Sequence, residues 1–112
     1  MDNFEKAQKA YYEALEGINV RENEQIVLES ETTCSYYFAL DIPEADIKAH
    51  EKVILKIKKP SCSYYFARDV LGANIEEHFK VVYNSGNKDW LNFFIKHVNY
   101  KNTRVEEWLF YI

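Results

Sequence analysis

Six residues recur unchanged at a spacing of 28: Cys34-Ser35-Tyr36-Tyr37-Phe38-Ala39 returns as Cys62-Ser63-Tyr64-Tyr65-Phe66-Ala67. The match runs on. Asp41-Ile42 returns as Asp69-Val70, Ala45-Asp46-Ile47 as Ala73-Asn74-Ile75, and His50 as His78. A fixed period of about 20–50 residues means one small supersecondary unit per period. Such a unit cannot bury its apolar face alone, so it must stack on its neighbours. Fainter copies flank the clear pair. Glu24-Gln25-Ile26-Val27-Leu28 matches Glu51-Lys52-Val53-Ile54-Leu55, and Phe94-Ile95-Lys96-His97-Val98 matches Phe66-Ala67-Arg68-Asp69-Val70. The expected organisation is a single domain of four units, near residues 5–30, 33–58, 61–86 and 89–112. The outer two have drifted, as end repeats do.

Each unit reads as two short helices. In the third, Pro60-Ser61 is a start signal with Ser61 as the expected N-cap. Cys62, Phe66, Ala67 and Val70 then share one side of a helix. Gly72 breaks it, because glycine accepts the positive φ of a helix C-terminus. Asn74 caps a second helix with apolar Ile75, Phe79, Val81 and Val82. Pro43 and Asp46 mark the same turn in the second unit, Gly17 and Asn19 in the first. The stretch from Lys52 to Lys58 is β-branched and partly alternating, which leaves an αβ repeat as the alternative. Helical spacing of Ile47, His50 and Ile54 favours helix. The expected fold is all-α: a short α-solenoid of about four helix-turn-helix repeats.

Composition narrows the function classes. Of the 112 residues 47% are apolar and 16% aromatic, ample for a packed core. No apolar run approaches the roughly 18 residues that span a bilayer. The start, Met1-Asp2-Asn3-Phe4-Glu5-Lys6, has neither the basic nor the apolar region of a signal peptide, so a cytoplasmic location is expected. A net charge of −4 argues against a nucleic-acid binder. Eight of the acids fall before Cys34. Cys34 and Cys62 occupy equivalent places in adjacent units. Stacked helices lie about 8–10 Å apart, and a disulfide needs Cα atoms within about 7 Å, so both are expected reduced.

The histidines invite catalysis or metal binding. Yet Asn23 and Trp108 stand at the position of His50 and His78 in the outer units. Trp replaces a packing residue, not a ligand, so a packing histidine hydrogen-bonded to a neighbour is expected. No HExxH, CxxC or Cys-His pattern is present, and Gly17, Gly72 and Gly86 form no phosphate loop. Neither cofactor nor metal is expected. Asp41 and Asp69 end the first helix of their units, where a carboxylate opposes the macrodipole. A tyrosine hydroxyl, a basic side chain or a turn N–H must hold it.

Binding surfaces are the stronger expectation. With Cys34, Phe38 and Ile42 facing inward, Tyr36 falls about 160° from Phe38 at 100° per residue. Tyr36, Leu40, Tyr64 and Arg68 would then form an aromatic-arginine patch, a composition enriched at interface hot spots. The alternative is that these rings pack between repeats. Lys48, Lys52 and Lys56 make a second strip, suited to an acidic surface or an RNA backbone, or simply to a solvated helix face. At the end of the chain Trp108-Leu109-Phe110-Tyr111-Ile112 is apolar all round a helix. Trp108, Phe110, Tyr111 and Ile112 would fold back under the last unit or join two copies in a homodimer.

The run from Tyr64 to Ile75, followed by His78, resembles short helical repeats of bacterial and phage proteins that read Tyr-x-Phe-Ala-x-Asp-Val-x-Gly-Ala-x-Ile-x-x-His-Glu. The second unit has Pro43-Glu44 in place of the residue and glycine after the Val, and the third has Phe79 in place of the last Glu. The resemblance implies a prokaryotic or phage source and no particular activity. The function expected is a non-enzymatic module that binds another protein. It would act by steric occlusion, as a phage or mobile-element inhibitor of a host enzyme or defence complex such as a CRISPR effector. The rival readings are an RNA-binding array using Tyr36, Tyr64 and the lysines, and a small hydrolase using His50, His78 or Asp69.

Overall fold

A computed structural model describes residues 2–98. Among them are seven α-helices and no strand: α1 Asn3–Leu15, α2 Val20–Ser30, α3 Cys34–Asp41, α4 Ile47–Ile57, α5 Pro60–Asp69, α6 Ile75–Asn84 and α7 Lys88–His97. The β-branched stretch from Lys52 is the last part of α4, which removes the αβ alternative. The second helix expected for the fourth unit lies outside the described residues.

Local chemistry sets the helix ends. Asp46 and Asn74 cap α4 and α6, accepting from Ala49 N and Glu77 N at 3.2 Å each. Asn87 caps α7 through the N–H groups of Asp89 and Trp90, both at 3.1 Å. Asn19 stands at the α2 N-cap without a side-chain bond. Ser61 is not a cap: α5 begins one residue earlier, with Lys59 as N-cap and Pro60 at the first position, where its missing N–H costs nothing. Gly17 follows α1 at φ +79°, and Gly72 lies at φ +87° in the turn between α5 and α6.

Three first helices end alike. Ile42, Val70 and Val98, spaced by 28, turn to extended backbone and donate their N–H to the carbonyls of Phe38, Phe66 and Phe94. All six side chains are buried. One apolar residue thus ends each helix and plugs the core beneath the phenylalanine one turn before it.

The helices zigzag between two rows. α1, α3, α5 and α7 follow one another in the first row, and α2, α4 and α6 in the second. Each helix also packs on its sequence neighbours in the opposite row. The core follows the junctions. Ala7, Ala10, Ala14 and Val27 meet Cys34, Phe38 and Ile42. Ala39 and Ile54 meet Phe66 and Val70. Tyr64, Ala67, Phe79 and Val82 meet Leu91, Phe94 and Val98. Each cluster joins two successive units. Both cysteines are free, Cys34 buried and Cys62 half-buried, and burial raises both thiols above their usual range.

Candidate functional site

Along the first row, side chains of adjacent helices meet in a repeated clasp. The Tyr11 hydroxyl donates to Asp41 Oδ2, and the Tyr36 hydroxyl donates to Asp69 Oδ2 at 2.5 Å. A tyrosine hydroxyl, one of the partners expected, therefore holds each helix-end carboxylate. Burial, and after it the aspartate, pushes both tyrosines well above their usual range. Arg68 grips Asp69 in a fork, Nε to Oδ1 at 2.7 Å and Nη2 to Oδ2 at 3.0 Å. That fork, with help from Tyr36, holds the Asp69 carboxyl below its usual range against its desolvation. At the next junction His97 stands in the aspartate position, and its ring meets Tyr64 at 6.5 Å instead.

Above the clasps runs a continuous aromatic belt. Tyr12, Tyr37, Tyr65 and Phe93 are 55%, 50%, 38% and 45% exposed, one on each helix of the row. Tyr11, Tyr36 and Tyr64 fill the spaces between them, with centroids 6.2 Å from Tyr11 to Tyr37, 6.4 Å from Tyr36 to Tyr65 and 6.4 Å from Tyr64 to Phe93. Trp90 closes the far end, 5.8 Å from Tyr65 and 5.6 Å from Phe93. The Arg68 guanidinium lies 5.0 Å from the Tyr65 ring centre and 5.3 Å from that of Tyr64, within cation–π range. Between α3 and α5 the belt opens into a groove of about 320 Å³ lined by Thr33, Tyr36, Tyr37, Ser61, Cys62, Tyr65 and Arg68.

The expected patch is thus shifted by one residue. Arg68 and Leu40 are exposed, but Tyr36 is half-buried and Tyr64 is only 5% exposed. The rings of Tyr36 and Tyr64 pack between helices of the row, and their neighbours Tyr37 and Tyr65 face out. The sequence held a signal for this. Tyr37, Tyr65 and Phe93 stay aromatic at the period of 28, whereas the series of Tyr36 and Tyr64 continues as Asn92. Lys48, Lys52 and Lys56 are exposed on α4, and Lys56 reaches Glu31 at 2.6 Å. They belong to the second row and do not join the belt in one groove.

The second row has its own clasp. Glu24 Oε2 accepts from the backbone N–H of Asp46 at 2.8 Å and lies 2.9 Å from His50 Nε2. Glu51 Oε2 does the same with the N–H of Asn74 at 2.6 Å and His78 Nε2 at 3.0 Å. His50 and His78 are fully buried, stacked on Phe38 at 4.9 Å and Phe66 at 5.0 Å. They are packing histidines bonded to a neighbour. Asp41 and Asp69 lie in the other row, so the structure does not bring these groups together. Among the described residues no group of three or more His, Cys, Asp or Glu side chains is placed to hold a metal ion, and no helix is long and apolar enough to cross a membrane. Trp108, Phe110, Tyr111 and Ile112, expected at a dimer interface, lie outside the described residues.

No protein-family model, no curated protein and no solved structure matches the chain.

Proposed function

We propose that the chain is a short α-solenoid of about four repeats that binds another protein through the aromatic belt of its first row. The observation that carries this reading is the unbroken series Tyr12, Tyr37, Tyr65 and Phe93, exposed on successive helices and edged by Arg68. Tyrosine and arginine offer large, stiff, amphipathic contact area, which is why interface hot spots favour them. The clasps beneath fix Tyr11 and Tyr36, and the exposed rings of Tyr12, Tyr37 and Tyr65 pack against these two, which lowers the ordering cost of binding. The mechanism is steric occlusion. Inhibition of a host enzyme or of a defence complex such as a CRISPR effector is its most specific form, by association with the prokaryotic or phage source that the repeat resemblance implies.

Capture from a bacterial lysate tests the reading. The wild-type chain retains one partner in a fixed ratio. A Tyr37→Ser/Tyr65→Ser variant with unchanged helical circular dichroism loses it, since truncating a hot-spot aromatic costs about 2 kcal/mol or more, roughly thirty-fold in affinity. A partner held equally by the double variant would end the proposal.

A further inference from the structure

The two rows are fastened by different chemistry. The first row uses tyrosine and aspartate at the α1/α3 and α3/α5 junctions, groups that ordinarily titrate near pH 10 and pH 4. The second uses histidine and glutamate at the α2/α4 and α4/α6 junctions. In each second-row clasp a single carboxylate oxygen serves two N–H groups: the N-cap amide of the next helix and the histidine Nε2. This arrangement suits one protonation state, an ionised glutamate and a neutral imidazole with its hydrogen on Nε2. Among the described residues the buried Nδ1 atoms of His50 and His78 meet no hydrogen-bond partner. A proton added there becomes a donor with nothing to accept it, beside a phenylalanine ring, and an unpaired buried donor is costly.

We propose that mild acid opens the second row at the His50–Glu24 clasp between α2 and α4 while the first row stays fastened, so that the first helix pair hinges about the aromatic belt. The inference does not depend on what the belt binds.

The surroundings of the clasps agree. The charged groups facing His50 are Glu24 from α2 and Asp46 at the start of its own helix. α3 presents only the Phe38 ring, α5 meets α4 through Phe66 and Val70 against Ile54, and α6 meets it through His78 on Glu51. Around His78, α4 presents Glu51 with Lys48 beyond it, α5 the Phe66 ring, and α7 packs Phe94 on Phe79. Burial holds His50 below the usual imidazole range, with Glu24 pulling weakly the other way. The closed His50 clasp therefore takes up a proton less readily than the open one. Its contribution is complete above about pH 6.5 and is lost as pH falls. Burial raises the Glu51 carboxyl, but His78 and the Asn74 N–H outweigh it and leave that group low. The first row carries a histidine only at α5/α7. There His97 is exposed and contacts rings, so its protonation breaks no such clasp.

Amide hydrogen exchange of the full chain by NMR, from pH 7.5 to 5.5 and corrected for intrinsic rates, tests the proposal. The N–H group of Asp46 reports the α2/α4 clasp, and those of Ile42 and Val70, at the ends of α3 and α5 beside Asp41 and Asp69, report the first-row helices. One proton taken up at the α2/α4 junction predicts that protection at Asp46 falls by about ten-fold per pH unit below about 6.5. Ile42 and Val70 keep theirs. The imidazole nitrogen spectra should show His50 neutral with hydrogen on Nε2 at pH 7.5. A His50→Gln variant, if folded, should lose the pH dependence; if it does not fold, the wild-type data decide alone. Protection at Asp46 that is flat to pH 5.5, equal loss in both rows, or a His50 imidazolium signal at pH 7.5 would each overturn it.

Discussion

The phenylalanines show at the residue scale how much one position carries. Phe66 is fully buried in the cluster with Ala39, Ile54 and Val70, and its ring is stacked on His78. Phe66→Ala should cost about 3–5 kcal/mol, read as a lowered urea midpoint. His78→Ala removes that stack and leaves Glu51 Oε2 with the Asn74 N–H alone, so it too should lower the midpoint. The tyrosine clasps predict an alkaline effect of definite sign. Tyr11 and Tyr36 have raised folded pKa values, so their contribution is complete below about pH 10, the unfolded value. It is lost as pH rises further. Tyr36→Phe should flatten that loss, and phenolate absorbance should show the two clasped hydroxyls ionising only with unfolding. Ionisation of every tyrosine near pH 10 in the folded protein would contradict the clasps.

Helix ends offer a cleaner test at the scale of the element. Glu31 and Lys58 close α2 and α4 in the left-handed region, at φ +52° and +57°, without being glycine. An L side chain there costs about 1–2 kcal/mol, and glycine returns part of that as chain entropy. Lys58→Gly should therefore stabilise the protein by roughly 0.5–1 kcal/mol. Gly72→Ala should do the reverse by about 1 kcal/mol. At Gly72 an added Cβ meets nothing within 4 Å, so the strain of φ +87° is the whole cause. Thermal melts of both variants decide the signs.

For the whole molecule, the position of the core matters most. Among the described residues every core cluster joins two successive units, and none lies within a single unit. Truncation after Lys59 removes Phe66 and Val70 from the cluster around Ile54 and should unfold the remaining α4 with its neighbours. The full chain should melt in urea as one transition with coincident circular dichroism and tryptophan signals. A stable, separately folding fragment of the first two units would show that the cluster joining the second unit to the third is dispensable for them.

The sequence by itself determined the helical class, the period and most of the buried positions. Phe38, Phe66 and Phe94, the caps Asp46 and Asn74, and the glycine breaks all depend on local periodicity and backbone preference, which a chain displays residue by residue. The histidines were legible as packing residues because Asn23 and Trp108 replace them in the outer units. Two things only the tertiary structure decided. One was which tyrosine of each pair faces out. A helix between two neighbours in its row has burial on its flanks as well as toward its own partner, so a single apolar stripe misplaces the boundary. Tyr36 and Tyr64 turn into the flank, and Tyr37 and Tyr65 are left outside. The other was the acid that each histidine needs. Glu24 and Glu51 lie 26 and 27 residues before their histidines and look like solvated helix residues in the sequence. Stacking one unit on the next brings the carboxylate over both the cap amide and the imidazole, and no local pattern encodes a contact made across that distance.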